Sequence, residues 1–134
     1  MRQKPCLTTA DLRQIVAACQ DEARKNGWQV TLAVVDDGGH LLFLERDGAK
    51  LSTIDVAIGK ARTAARMQYP SGQLQDRIKD NPQLMALDAM PLQGGLPLLY
   101  RGECVGGIGV SGVKPEEDEQ IGRRGCDVLQ TLQI

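Results

Sequence analysis

Val30-Thr31-Leu32-Ala33-Val34-Val35-Asp36-Asp37-Gly38-Gly39-His40-Leu41-Leu42-Phe43-Leu44-Glu45 is the stretch on which the fold turns. Val30 to Val35 is apolar and rich in β-branched residues, which reads as a strand covered on both faces. Asp36-Asp37-Gly38-Gly39 follows as a tight turn, because glycine accepts the positive φ that hairpin turns demand. His40 to Glu45 is then the returning strand. A hairpin makes this part of the sheet antiparallel.

Upstream, Thr8 and Asp11 have capping-box spacing, with Asp in place of the preferred Glu. Leu12, Ile15, Val16, Cys19 and Ala23 follow at helical intervals, and Asn26-Gly27 reads as a stop, giving a helix over Thr9 to Asn26. Downstream, Leu51 to Gln68 reads as a second helix with the stripe Ile54, Ala57, Ile58, Ala61 and Ala65, ended by Pro70. Its many Ala residues and Gly59 make it thin enough to approach a neighbour closely. Ser71 to Leu87 reads as short helical turns broken at Asn81-Pro82, and Met90 to Gln93 as a short strand. Leu96 to Tyr100 and Cys104 to Val110 form a second hairpin around Arg101-Gly102-Glu103. Pro115 opens a last helix whose first turn carries Glu116, Glu117, Asp118 and Glu119, acids that complement the helix dipole. No linker, repeat or low-complexity tract interrupts this order, so residues 1–134 are expected to form one α/β (α+β) domain. Helices should cover a largely antiparallel sheet.

Composition narrows the function. The 134 residues carry 16 basic and 17 acidic side chains, with no basic field to attract nucleic acid. Aromatics are 3%, too few for base-stacking platforms. No apolar leader or membrane-length apolar run is visible, so a cytoplasmic location with no membrane partner is expected. The cysteines Cys6, Cys19, Cys104 and Cys126 form no C-x-x-C pair, which excludes a zinc ribbon. Cys19 and Cys126 read as small buried residues on helices.

Gly107-Ile108-Gly109-Val110-Ser111-Gly112 matches G-x-G-x-x-G. A dinucleotide site also requires a following strand and an acidic residue about 20 positions on, and the last helix occupies that space. Glycines at alternate strand positions instead permit close packing of a helix or a neighbouring subunit. No P-loop or G-x-S-x-G motif occurs, and a triad would have to use His40, whose partners nothing identifies. Adjacent acids such as Asp36-Asp37 read as solvated structure. No catalytic residue is therefore assigned.

Five blocks in order, Val35-Asp36-Asp37-Gly38-Gly39-His40-Leu41, Lys60-Ala61-Arg62-Thr63-Ala64, Gly94-Gly95-Leu96-Pro97, Gly106-Gly107-Ile108-Gly109-Val110-Ser111-Gly112 and Asp118-Glu119-Gln120, resemble the GlcG/HbpS-like (DUF336) family. That family includes the C-terminal domain of PduO-type corrinoid adenosyltransferases. The likeness runs from about Leu7 to Leu129. It implies a profilin-like three-layer α/β/α fold with a five-stranded antiparallel sheet. It also implies a homo-oligomer, as a dimer or higher even-numbered assembly. It further implies tetrapyrrole association, with haem as cofactor ahead of a corrinoid, and an accessory link to glycolate or diol/glycerol metabolism, where a metabolic enzyme would be a partner. The adenosyltransferase activity of the PduO-type proteins belongs to a different domain, so the resemblance does not imply it.

The implied sheet order, 2-1-5-4-3, brings the start of strand two and the start of strand five to one end of the sheet. His40 and Cys104 open those strands after tight turns, about 10 Å apart laterally. Imidazole and thiolate are both axial ligands of haem iron, so these two residues are the metal candidates. Lys60, Arg62 and Arg66 are candidates for haem propionates, and Thr63 and Ser111 are further polar candidates near the glycine-rich strand. Two other readings stand beside the binding module: a cofactor-free accessory protein docking on a metabolic enzyme, and an enzyme acting on a small hydroxy acid or diol product.

Overall fold

A computed structural model describes residues 1–132. The quoted hairpin forms as read. β1 (Thr31–Asp36) is buried along nearly its whole length, and β2 (Leu41–Arg46) pairs with it in antiparallel register from Thr31↔Arg46 to Val35↔Leu41, with a bulge at Val34/Val35. Asp36 builds the turn. Its Oδ1 accepts the backbone N–H groups of Gly38 and His40, each at 2.9 Å, and Gly39 takes φ 88°. His40 is thereby held in the turn, one residue before the strand it was expected to open.

α1 (Thr9–Lys25) begins with the expected capping box: Asp11 N–H donates to Thr8 Oγ1 at 3.2 Å and Thr8 N–H to Asp11 Oδ2 at 2.8 Å. α2 (Thr53–Met67) ends where Gln68 turns left-handed at φ 62°, ahead of Pro70. α3 (Ser71–Asp80) and a 3-10 turn over Pro82–Ala86 follow, separated at Asn81. β3 (Gly95–Tyr100) and β4 (Glu103–Ser111) form the second hairpin, and α4 (Pro115–Thr131) closes the chain. No helix among the described residues is long and apolar enough to cross a membrane.

The sheet has four antiparallel strands in the order β2-β1-β4-β3, not five. The missing strand is Met90–Gln93. Pro91 has no N–H for a ladder. The neighbouring polar groups are satisfied elsewhere: Met90 N–H donates to Thr63 Oγ1 at 2.7 Å, and the Leu92 carbonyl accepts from Ser71 Oγ. With that segment removed, the order of the remaining strands agrees with the implied one.

Helices cover both faces. On one, Ile15, Val16 and Cys19 of α1 and Ile121 and Leu129 of α4 pack on Leu32, Val34, Ile108 and Val110. On the other, Ala57, Ala61 and Ala65 of α2 pack on Ala33 and Val35. This second contact is close enough to require glycine. A Cβ on Gly109 would strike the Ala57 carbonyl oxygen, and one on Gly107 the Ala61 carbonyl oxygen. The glycine-spaced strand is thus the bed of the thin helix.

Candidate functional site

One corner of the molecule gathers titratable side chains around the β1–β2 turn. His40 projects there with its side chain 84% exposed, its Nδ1 3.4 Å from Asp36 Oδ1. Arg62 and Arg66 lie one turn apart on α2 and so share a helix face. Arg62 Nε donates to the Gly39 carbonyl at 3.0 Å. The Arg66 guanidinium rests against Gly39 so closely that a Cβ there would meet its Nε at 2.9 Å. Both arginines remain exposed.

An apolar wall adjoins this corner. Leu41 and Leu44 pair with Val35 and Ala33, which face α2, yet α2 is centred on β4 and leaves the outer strand uncovered. Leu41, Leu42 and Leu44 are consequently 44%, 42% and 38% exposed. Edge strands more often carry charge on such a surface.

Cys104 lies at the same end of the sheet, since Asp36 pairs with Gly106 and Cys104 is two residues nearer the start of β4. It is buried rather than presented. Its Sγ donates to the carbonyls of Gly106 at 3.3 Å and Ala65 at 3.5 Å. Burial pushes its thiol pKa up, with smaller opposing influences from the Gly106 hydrogen bond and Lys4. Lys4 Nζ in turn bonds Asp37 Oδ2 at 2.8 Å, and that hydrogen bond holds the Asp37 carboxyl below the ordinary range.

The other candidates are engaged elsewhere. Lys60 is buried and donates from Nζ to the Val110 carbonyl at 2.8 Å and to Asp118 Oδ2 at 3.0 Å. Asp118 Oδ1 accepts Val113 N–H at 3.1 Å, and burial raises its pKa against the pull of Lys60. Thr63 is buried, its hydroxyl donating to the Gly59 carbonyl at 2.8 Å while accepting Met90 N–H. Ser111 pairs with Thr31, at the end of the sheet opposite the turn. The structure therefore sets Arg62 and Arg66 against Gly39, the residue before His40, places Cys104 at the same end of the sheet, and engages Lys60, Thr63 and Ser111 elsewhere. Among the described residues no group of three or more His, Cys, Asp or Glu is arranged to hold a bare metal ion.

Sequence reasoning missed Lys4 and the roles of Asp36, Asp37 and Asp118. Asp36, two residues before a glycine pair, carries a legible signal, because Asp side chains accept backbone N–H groups in turns. Asp118 is indistinguishable from its acidic neighbours until α4 is placed.

The family model described as "Haem degrading protein HbpS-like" matches residues 7–127. Protein GlcG of Escherichia coli K12 is 36% identical over 115 residues, covering 83% of this chain and 85% of that protein. A double mutant of HbpS from Streptomyces reticuli superposes with a TM-score of 0.89 at 36% identity, covering 96% of this chain and 90% of that one. A structure described as a PduOC:heme complex superposes with a TM-score of 0.86 at 26% identity, covering 92% of this chain and 95% of that one. With nearly the whole chain matched by the family model, and by relatives above 30% identity, this protein belongs to the HbpS-like (DUF336) family.

Proposed function

We propose that this chain is a haem-binding protein whose site is the corner between the β1–β2 turn and α2. The observation that carries the reading is the contact of Arg62 and Arg66 with Gly39, the residue before the exposed His40, beside the exposed Leu41, Leu42 and Leu44. The donor set fits the group. His40 is free to turn its Nε2 outward while Asp36 sits 3.4 Å from Nδ1, and a carboxylate at the second ring nitrogen orients a metal-ligating imidazole. Two guanidinium groups suit two propionates, and a leucine wall suits an apolar macrocycle. When bound, the haem would supply the redox-active iron. The protein's part is to ligate through His40, anchor through Arg62 and Arg66, and shield one face through β2. Lys60, Thr63 and Ser111 carry no part in it.

The relative described as a PduOC:heme complex supports haem ahead of a corrinoid. A holding role accessory to glycolate or diol metabolism, with a metabolic enzyme as partner, is supported by the family resemblance. Self-association is supported by the apolar edge strand, a surface of the kind that partners cover. The test is a visible titration with haem, and in parallel with cobalamin. Saturable growth of a Soret band, shifted or weakened in His40→Ala, supports the reading. Wild-type spectra and affinity in His40→Ala, Cys104→Ala and the double variant would place the site elsewhere. No uptake by the wild type would favour the cofactor-free accessory protein.

A second reading, degradation of the bound haem, is favoured by the family's description. Progressive loss of the Soret band on adding hydrogen peroxide, faster with protein than with free haem, would support it.

A further inference from the structure

Gly39 is a point of contact between the β1–β2 turn and α2, and it meets both arginines. Its N–H donates to the Asp36 carbonyl at 3.0 Å, closing the turn with φ at 88°. Its own carbonyl accepts Arg62 Nε at 3.0 Å. Its bare α-carbon lies against the Arg66 guanidinium, so that a Cβ there would sit 2.9 Å from Nε and 3.0 Å from Nη2. Any side chain at position 39 therefore displaces Arg66, even one that tolerates the left-handed backbone. Among the described residues no carboxylate pairs with either arginine. Like charges one helical turn apart repel. Arg62 spends only Nε on the protein, and its terminal nitrogens remain for a ligand.

We propose that Gly39 is the positioning residue of this site: it seats Arg62 and Arg66 together at the turn, so that they select a tetrapyrrole carrying two carboxylates, with or without iron. Two guanidinium groups held near each other without a counter-charge suit two carboxylates on one ligand, whose binding relieves their repulsion. The iron is addressed separately, by His40 on the next residue. Anchoring by carboxylate and ligation of iron are thus two contacts made by neighbouring residues, and each can be removed without the other. The choice of a tetrapyrrole rests on the haem reading; the seating of the arginines does not.

The experiment titrates the full chain with haem, haem dimethyl ester and iron-free protoporphyrin IX. Asparagine accepts positive φ more readily than most side chains, so Gly39→Asn keeps the turn while its Cβ displaces Arg66. It should weaken haem and protoporphyrin IX alike, about fivefold, as the loss of one partly exposed charge-assisted hydrogen bond does. The Soret position of bound haem should not move, because His40 still holds the iron. In an Arg66→Ala background the same substitution should cost less than about twofold, since its effect runs through Arg66. The ester should bind more weakly than haem, and equally to wild type and variants. Equal losses in both backgrounds, or wild-type affinity in Gly39→Asn where Arg66→Ala is weakened, overturn the role of Gly39. An ester that binds as tightly as haem overturns the selection of carboxylates. Should Gly39→Asn fail to fold, nitrogen NMR of the unliganded wild type decides. The Nε–H groups of Arg62 and Arg66 should be more ordered than that of the exposed Arg13, and equal mobility overturns the seat. No uptake of any probe by the wild type overturns the haem reading and with it the ligand, while ordered arginine signals leave the seat standing.

Discussion

Lys60 Nζ lies 3.0 Å from Asp118 Oδ2, an ion pair that ties α2 on one face of the sheet to α4 on the other. Both side chains are about 95% buried, and the Val110 carbonyl and Val113 N–H complete their hydrogen bonds. Removing one partner strands a buried charge, which costs about 3–5 kcal/mol. Lys60→Met and Asp118→Asn should each lower the urea midpoint strongly. Lys60→Met with Asp118→Leu should lose much less than the sum of the two, as a double-mutant cycle will read.

Gly109→Ala should be among the most damaging small substitutions in the chain. The added methyl group meets the Ala57 carbonyl oxygen, backbone that cannot swing aside. Overpacking of this kind costs about 1–3 kcal/mol or more. Gly102→Ala, in the β3–β4 turn, has open space around it but φ 80°. A smaller loss, of about 1 kcal/mol, is expected there. Thermal unfolding of both variants checks the ranking.

Arg62→Ala and Arg66→Ala should each weaken haem binding about fivefold, the worth of one partly exposed charge-assisted hydrogen bond. Arg62→Lys should recover only part, because lysine lacks the planar fork. Equal affinity in Arg62→Ala, Arg66→Ala and wild type would move the propionates away from this corner.

The four thiols should separate by burial. Cys6 is exposed and should react fast with Ellman's reagent. Cys19 and Cys126 have their pKa pushed up to about 12 by desolvation, so roughly one part in ten thousand is thiolate at pH 8. Cys19, fully buried, should react only when the protein unfolds, and Cys126, which is partly exposed, more slowly than Cys6. Two fast thiols at pH 8 would contradict this order.

Cys104 adds a pH dependence. Burial raises its folded pKa above the ordinary 9.0, so the folded state favours the neutral thiol. The stability this gives is present in full below pH 9 and is lost as pH rises through the higher folded value. The stability difference between wild type and Cys104→Ala should therefore shrink from pH 8 to pH 11. A difference constant over that range would show that the thiol ionises freely in the fold.

The chain by itself determined its hairpins, its helix ends and the use of its glycines, because these depend on neighbours in sequence. Asp36 to Gly39 can hardly form anything but a turn, Thr8 and Asp11 close a cap within four residues, and alternate glycines in a strand leave room for a thin helix. The count of strands was not legible. Met90–Gln93 is apolar enough to pair, but Thr63 and Ser71, some twenty to thirty residues away, take up its backbone groups first. Nor was the grouping of the site. Lys60, Arg62 and Thr63 are adjacent in sequence, yet the helical twist sends Lys60 to Asp118, Thr63 to Met90 and Arg62 to the turn at Gly39. Only the packing of α2 across the sheet decides which cation reaches the turn that carries His40, because a helix distributes consecutive side chains around its axis at about 100° per residue.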